Sequence, residues 1–412
     1  MMKIQVQNIY KIFGRQPQKA LAAVKAGKDK DSLLAETGHT LGLKDISLDI
    51  EGGKTFVIMG LSGSGKSTLI RHFNRLIEPT AGDIRVDGQS VMAMNDKELL
   101  EFRRHKISMV FQRFGLLPHR NVLDNVAYGL RVQGADPSER QRKARHWIDV
   151  VGLAGYEASF PDELSGGMQQ RVGLARALCT DPDILLMDEA FSALDPLIRR
   201  EMQDQLISLQ NSLHKTIVFI THDLDEALRL GNRIAILKDG EIQQVGTPQE
   251  ILLHPANAYV NAFVQDVNRT KVLTAGLALA AADVFDNTAV FNARTPAQEA
   301  LRKLQQCPDS HGFVVDDQQH LLGVVQQQAL SQCDGQQPLA TLVHQIDAVA
   351  EDALLEQVME QVAHAGHGIP VVDGEQRLTG ILTAESTLQA LTDEQRGQVS
   401  PVTAAESERK AS

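Results

Sequence analysis

The stretch Gly60-Leu61-Ser62-Gly63-Ser64-Gly65-Lys66-Ser67 fits the phosphate-binding pattern G-x-x-x-x-G-K-[ST] at every fixed position. Ahead of it, Thr55-Phe56-Val57-Ile58-Met59 is an apolar run of strand type. Behind it, residues 68–77 read as a helix that stops before Pro79. Strand, loop and helix in that order are the context the pattern requires. Its glycines let backbone N–H groups turn inward around a phosphate chain, the helix N-terminus adds partial positive charge, and Lys66 can reach the outer phosphates. Ser67 is placed to ligate Mg²⁺, and Thr68 completes the nucleotide-binding set with Gly60, Ser62, Gly63, Ser64 and Gly65. An ordinary glycine-rich turn is the competing reading, and the matching flanks disfavour it.

With 412 residues and 43% hydrophobic content, the chain has room for two or three domains. The cysteines Cys179, Cys307 and Cys333 are odd in number and lack C-x-x-C spacing, which argues against zinc or a disulfide framework and for a reducing, cytoplasmic setting. No stretch reaches the about 18 consecutive apolar residues of a membrane span, and the first residues lack a signal-peptide pattern. Any membrane role is therefore expected to run through a partner. The net charge of −11 is unevenly placed: residues 1–265 carry 32 acidic and 32 basic side chains, residues 266–412 carry 20 and 9. This marks a boundary near 265 and leaves no cationic footprint of nucleic-acid binding.

Residues 3–14 look like an edge strand ending in aromatics, and 15–39 follow as a polar, helical-looking segment whose charges read as a solvated face. Residues 43–50 alternate apolar and polar with period two, the mark of a half-buried strand. Further short strands are expected at 82–88 and 107–112, the latter closing on Gln112, and a helix with a basic face at 138–151. Leu164-Ser165-Gly166-Gly167-Met168-Gln169-Gln170-Arg171 then opens a helix to about Leu178, and small residues at a helix start make an anion site out of orphan N–H groups. Alone, it could be an ordinary cap. Ile184-Leu185-Leu186-Met187-Asp188-Glu189 delivers two adjacent carboxylates at the end of an apolar strand, the edge of a parallel sheet where ligands bind. Asp188 can hold Mg²⁺ through water and Glu189 can orient an attacking water. Ser192-Ala193-Leu194-Asp195 follows, and a strand at 216–221 ends on His222, which the same edge makes a candidate for the γ-phosphate.

In unbroken order over residues 1–265, these motifs resemble the ATP-binding-cassette (ABC) superfamily, which the LSGG signature separates from other P-loop NTPases. The resemblance implies an α/β fold: an ABC-type P-loop ATPase with a RecA-like parallel sheet, an antiparallel β subdomain, and a helical subdomain at about 100–170. It implies that Phe13 stacks on adenine, that Gln112 senses Mg²⁺ and couples to the membrane, that Glu189 is the catalytic base, and that His222 is the γ-phosphate switch. Asp195 then belongs to an inter-subunit loop. Ser165, Gly166 and Gly167 cap the ATP held by the other subunit's Lys66, so the working unit is a homodimer with ATP and Mg²⁺ as cofactors. Segments such as GLSGSGKSTLIRHFNRLIEPTAG, MVFQRFGLLPHRNVLDNVAYGL and LMDEAFSALDPLIRREMQDQL are similar to ATPase subunits of glycine-betaine/proline uptake transporters, as is the insertion after Phe13. That narrower resemblance implies an integral-membrane permease, an extracytoplasmic substrate-binding protein reached through the complex, no nucleic acid, and a peripheral place on the cytoplasmic face. A soluble cassette of DNA repair or translation is the rival. Repair types separate the two nucleotide motifs by a long coiled coil and translation types carry two cassettes, whereas this chain has a globular pattern between Lys66 and Asp188 and one cassette. A purely regulatory nucleotide sensor would not need Glu189 or His222.

Residues 312–325 and 369–382 repeat each other at an offset of 57, each preceded by a helical pattern. The repeat resembles a tandem cystathionine-β-synthase (CBS) pair, expected over 266–395 and followed by a polar tail at 396–412. Nucleotide-binding copies usually follow the last strand with Thr or Ser and then Asp; here the segments read Gln326-Gln327-Gln328-Ala329 and Thr383-Ala384-Glu385-Ser386, so the ribose acid is missing from both. The confined acidic excess sets an expectation that this module reports ionic strength beneath an anionic membrane, because the Debye length shrinks from about 8 Å at 0.15 M salt to about 3 Å at 1 M. The alternative is that the excess only keeps the module soluble. Deleting residues 266–412 is expected to flatten or shift the salt activation of transport by the reconstituted complex, measured across internal salt and anionic-lipid content; an unchanged curve leaves the module with solubility alone.

Overall fold

The computed structural model describes residues 2–112, 115–192, 194–279, 289–307, 310–365 and 368–392, and the tail expected at 396–412 lies outside them. Two compact units meet at Asp266 and Val267. In the first, the strands are β1 (Met2–Phe13), β2 (Thr40–Glu51), β3 (Thr55–Met59), β4 (Ala81–Val86), β5 (Gln89–Ser90), β6 (Ile107–Val110), β7 (Ile184–Asp188), β8 (Thr216–Thr221), β9 (Arg233–Lys238) and β10 (Glu241–Gly246). A six-stranded sheet runs in the order β10-β9-β3-β8-β7-β6, parallel except for the β9–β10 hairpin. Its inner strands β3, β7 and β8 are buried at every residue, which is why they read as continuous apolar runs rather than alternating ones. A second, antiparallel sheet has the order β2-β1-β4-β5. β1 is thus flanked on both sides and is not the edge strand its position suggested.

One core fills the space between the two sheets, with Ile4, Ile46, Ile58, Leu69, Phe73, Ile84 and Leu237 fully buried. A separate core of Val122, Val126, Ala144, Ile148, Val172 and Ala175 belongs to the helical layer, where Pro137–Val150 packs on Gly166–Cys179. This layer begins later than the expected position of about 100. Helix Asp96–His105 buries Leu99 and Phe102 in the main core, and β6 completes the parallel sheet by pairing with β7. Residues 15–39 fold as two helices, Pro17–Lys25 and Lys30–Thr37. They are more than a solvated face, because Ala20, Val24 and Leu33 close a small core with Tyr10, Ile12 and Leu41.

The second unit holds two three-stranded sheets, β11 (Val290–Asn292), β12 (His311–Val315) and β13 (Leu321–Gln326), then β14 (Val349–Ala350), β15 (Ile369–Val372) and β16 (Leu378–Leu382). Each has a parallel outer strand and an antiparallel hairpin, with a bulge at Val314/Val315 in one and at Val371/Val372 in the other. The repeat seen in the sequence is therefore a repeat of structure. Asp316 accepts the N–H groups of Gln318 and His320, and Asp373 those of Glu375 and Arg377, so both hairpins turn on the same aspartate device. The turns also bond each other: Leu321 N–H donates to Gln376 O and Leu378 N–H to Gln319 O.

His72, on the helix after the phosphate loop, is fully buried. Its Nδ1–H donates to Thr68 O at 2.6 Å, its Nε2 has no partner among the described residues, and burial pulls its pKa from 6.5 down to about 4. The unfolded chain therefore takes up this proton first as pH falls, and stability is lost progressively from about pH 6.5 towards pH 4, by up to about 3 kcal/mol from this group. Denaturant titrations over that window are expected to show a shallower acid decline in His72→Leu than in the parent; equal slopes would assign the acid sensitivity elsewhere.

Candidate functional site

The parallel register brings the ends of β3, β7 and β8 level, with Met59 opposite Thr221 and Asp188 opposite Ile220. The loop after β3, the carboxylates closing β7 and the histidine after β8 are thereby delivered to one edge. Gly63 and Gly65 adopt φ of +79° and +104°, and Gly65 caps helix Lys66–Phe73. A Cβ at Gly63 would project into open space, whereas one at Gly65 would stand 2.7 Å from Gly42 O. The loop is therefore fixed against the chain on one side and open on the other. Lys66 is buried, donates to Gly60 O at 2.7 Å and Leu61 O at 3.0 Å, and has its pKa lowered by that burial. Ser64 Oγ is buried with no partner among the described residues. A buried cation, an orphaned hydroxyl and inward-turned glycines at a helix N-terminus are what a nucleotide's phosphates fit.

Three predicted residues converge on the Glu189 carboxylate. Gln112 Nε2 donates to Oε2 at 3.0 Å, His222 Nδ1 lies 3.7 Å from Oε2, and Lys66 Nζ lies 3.8 Å from Oε1. Glu189 has φ of +45°, unusual for a residue with a side chain, and is held there by its N–H to Ile220 O and by Ser192 Oγ donating to its carbonyl at 2.9 Å. Beside it, buried Asp188 accepts from Ser67 Oγ at 2.7 Å and from Arg71 Nη2 at 3.2 Å. The described residues contain no cluster of three or more His, Cys, Asp or Glu side chains that could hold a metal by themselves. Ser67 and Asp188 are hard oxygen donors, and a site of two such groups fits Mg²⁺, which takes its remaining ligands from substrate phosphates and water. Arg71 was not read from the sequence. Its signal is its place four residues after Ser67, on the same face of one helix.

Phe13, the last residue of β1, is 40% exposed, with Lys11 Nζ 5.0 Å from its ring centroid. The ring lies over Gly42, where a Cβ would stand 2.7 Å from Cε2, and Gly42 in turn abuts the loop at Gly65. The predicted base-stacking residue is thus tied to the phosphate loop through bare backbone. Thr68 gives its carbonyl to His72. No described hydrogen bond or ion pair joins Ser165, Gly166 or Gly167 of the signature to the residues around Lys66. Ser165 caps helix Gly166–Cys179 by accepting from Met168 N at 3.3 Å, and Asp195 caps helix Pro196–Leu213 by accepting from Leu197 N and Ile198 N. The two caps are neighbours, since a Cβ on Gly167 would meet Ile198 Cγ2 at 2.7 Å.

A phosphate loop, a carboxylate pair and a histidine on one parallel edge, with a separate helical layer carrying a second glycine-rich helix start, define an ATP-binding cassette. Residues 43–192 match the ABC transporter family model and residues 342–393 the CBS domain model. The chain is 50% identical over 95% of its length to the glycine betaine transport ATP-binding protein OpuAA of Bacillus subtilis, covering 92% of that protein. It is 49% identical over 95% of its length to the glycine betaine/proline betaine transport system ATP-binding protein ProV of Salmonella typhimurium, covering 98% of it. Among solved structures, a dimeric bacterial ABC transporter cassette superposes with a TM-score of 0.51 at 34% identity, covering 60% of this chain and 98% of that one. The chain belongs to the ATP-binding subunits of the ABC transporter family. No described helix is long and apolar enough to cross a membrane.

Gly42 offers a way to test the base-stacking expectation without touching Phe13. Gly42→Ala is expected to push the ring aside and raise KM for ATP about three- to tenfold, the worth of a lost aromatic contact, while kcat stays within about twofold. Steady-state ATPase kinetics check this, and an unchanged KM would remove Phe13 from the site.

Proposed function

We propose that this chain is the ATP-hydrolysing subunit of an importer for betaine-type osmoprotectants, bound peripherally on the cytoplasmic face to an integral-membrane permease that receives solute from an extracytoplasmic substrate-binding protein. The observation that carries the enzymatic part is the convergence of Gln112, His222 and Lys66 on one carboxylate next to the Ser67–Asp188 pair. The solute class rests on the names of the full-length relatives.

In this reading Phe13 stacks on adenine, the loop from Gly60 to Ser67 with Thr68 cradles the phosphates, and Lys66 exchanges its carbonyl partners for the outer phosphates. Ser67, Asp188 and Gln112 hold Mg²⁺, which when bound neutralises charge on the transferring phosphoryl group. Glu189 accepts a hydrogen bond from the attacking water and aims it in line. Gln112 and His222 both stand at Oε2 of that carboxylate and orient it, and His222 turns to the γ-phosphate as well. Hydrolysis is thus mainly a matter of position and charge. The second half of each site comes from another copy. No described hydrogen bond joins Ser165, Gly166 or Gly167 to their own Lys66, and they open a helix, whose first N–H groups are the chemistry that caps a γ-phosphate across a head-to-tail homodimer. Asp195 lies at the same seam. A solved cassette related to this chain is described as dimeric and bound to ADP and Pi. Closure on ATP and reopening after hydrolysis then drive the permease between its two states.

Glu189→Gln keeps size and hydrogen bonding but removes the base. It is expected to retain ATP binding, lower turnover about 10²- to 10⁴-fold and accumulate an ATP-bound dimer on size exclusion. Turnover within a few-fold of the parent would refute Glu189 as the base.

A further inference from the structure

Helix Pro196–Leu213 begins directly after Asp195 and reaches back on both sides. The guanidinium of Arg199 donates from Nε to Phe191 O at 3.3 Å and from Nη2 to Ser192 O at 3.5 Å and Leu194 O at 3.2 Å. Its remaining nitrogen, Nη1, lies 3.5 Å from Asp223 Oδ2, on the residue after His222. Four residues on, Gln203 Nε2 donates to Glu226 Oε1 at 3.1 Å, and Glu226 Oε2 accepts from Thr221 Oγ1, on the residue before His222. Gln203 and Glu226 are both buried. One helix face therefore grips the histidine loop before and after His222, and through Arg199 it also grips the segment that leads from Glu189 to Asp195.

From this geometry we infer that Arg199 is a positioning residue that links the Asp195 segment to the His222 loop, so that movement of one resets the other against Glu189. A planar fork with five N–H donors can satisfy three carbonyls and a carboxylate together, which a lysine or glutamine cannot. If the Asp195 segment shifts on meeting a second copy, the three carbonyls carry Arg199 with them, and the pair with Asp223 transmits the shift to a histidine that stands 3.7 Å from the base. Gln203 and Glu226 form the fixed side of the loop and Arg199–Asp223 the movable side, since the latter pair is 28% and 36% exposed. The inference rests on the dimeric ATPase reading above.

The test is a double-mutant cycle in the full-length chain with Arg199→Gln and Asp223→Asn. Asp223 also caps helix Leu224–Leu230 by accepting from Glu226 N, and Asn caps as well as Asp, so the second variant removes the charge link and keeps the helix. Each single variant is expected to lower kcat for ATP about tenfold with KM within about twofold, and the double variant to fall no further, because one link is broken in all three. A parent-like kcat in either single variant, fully additive losses, or KM rising in step with the loss of kcat would overturn the link. Glu189→Gln run in parallel separates the outcomes: if it stalls turnover while the cycle fails, only the Arg199 link falls.

Discussion

Three stretches of backbone meet with no side chain between them at Gly42, Gly65 and Gly240. Lys44 N–H donates to Gly240 O at 2.8 Å and Gly240 N–H to Ser64 O at 3.0 Å, while a Cβ on Gly65 or on Gly240 would stand 2.7 Å from Gly42 O. This close approach docks the antiparallel sheet, the phosphate loop and the β9–β10 hairpin on one another. Without it the loop would lose its wall, and Phe13, which lies over Gly42, would lose its place beside the loop.

The chemistry sits on a second constraint, the register of the parallel sheet. Level strand ends put Lys66, Glu189 and His222 within ion-pair range, and Glu189 reaches that point only because its backbone turns into the left-handed region as it leaves β7. A strained residue of this kind persists only where surrounding bonds fix it, and here Ile220 and Ser192 do so. The same turn starts the segment that Arg199 holds. Strain at Glu189 and the grip on the following loop are parts of one local structure.

The second unit is built by exchange. The segment leading into the first repeat bonds to the second, with Ala275 N–H donating to Ala353 O and Leu355 N–H to Leu273 O. The segment leading into the second bonds to the first, with Ala297 N–H donating to Gln337 O and Leu339 N–H to Thr295 O. Each repeat thus ties its leading segment to the other repeat, which accounts for a tandem arrangement. The segment after β13 starts at Gln326 with no side-chain cap, whereas Thr383 and Ser386 cap each other's N–H after β16, so the two copies differ where the sequence already departed from the nucleotide-binding pattern.

The sequence by itself determined the order of motifs, the strands that deliver them and the repeat, because buried parallel strands are continuous apolar runs and phosphate loops need glycine and lysine at fixed spacing. It picked out Lys66, Ser67, Asp188, Glu189 and His222 as candidates, because local chain geometry places each at a strand end or helix start, and the fold brings them to one edge. Tertiary structure alone decided what lies between distant segments. β1 is flanked by β2 and β4, helix Asp96–His105 belongs to the main core, and the insertion after Phe13 closes a small core of its own. Arg71 and Arg199 escaped the sequence reading for the same reason. An arginine's role depends on which carbonyls and carboxylates its long side chain meets, and those partners lie on other elements: Asp188 ends β7, and Asp223 caps helix Leu224–Leu230.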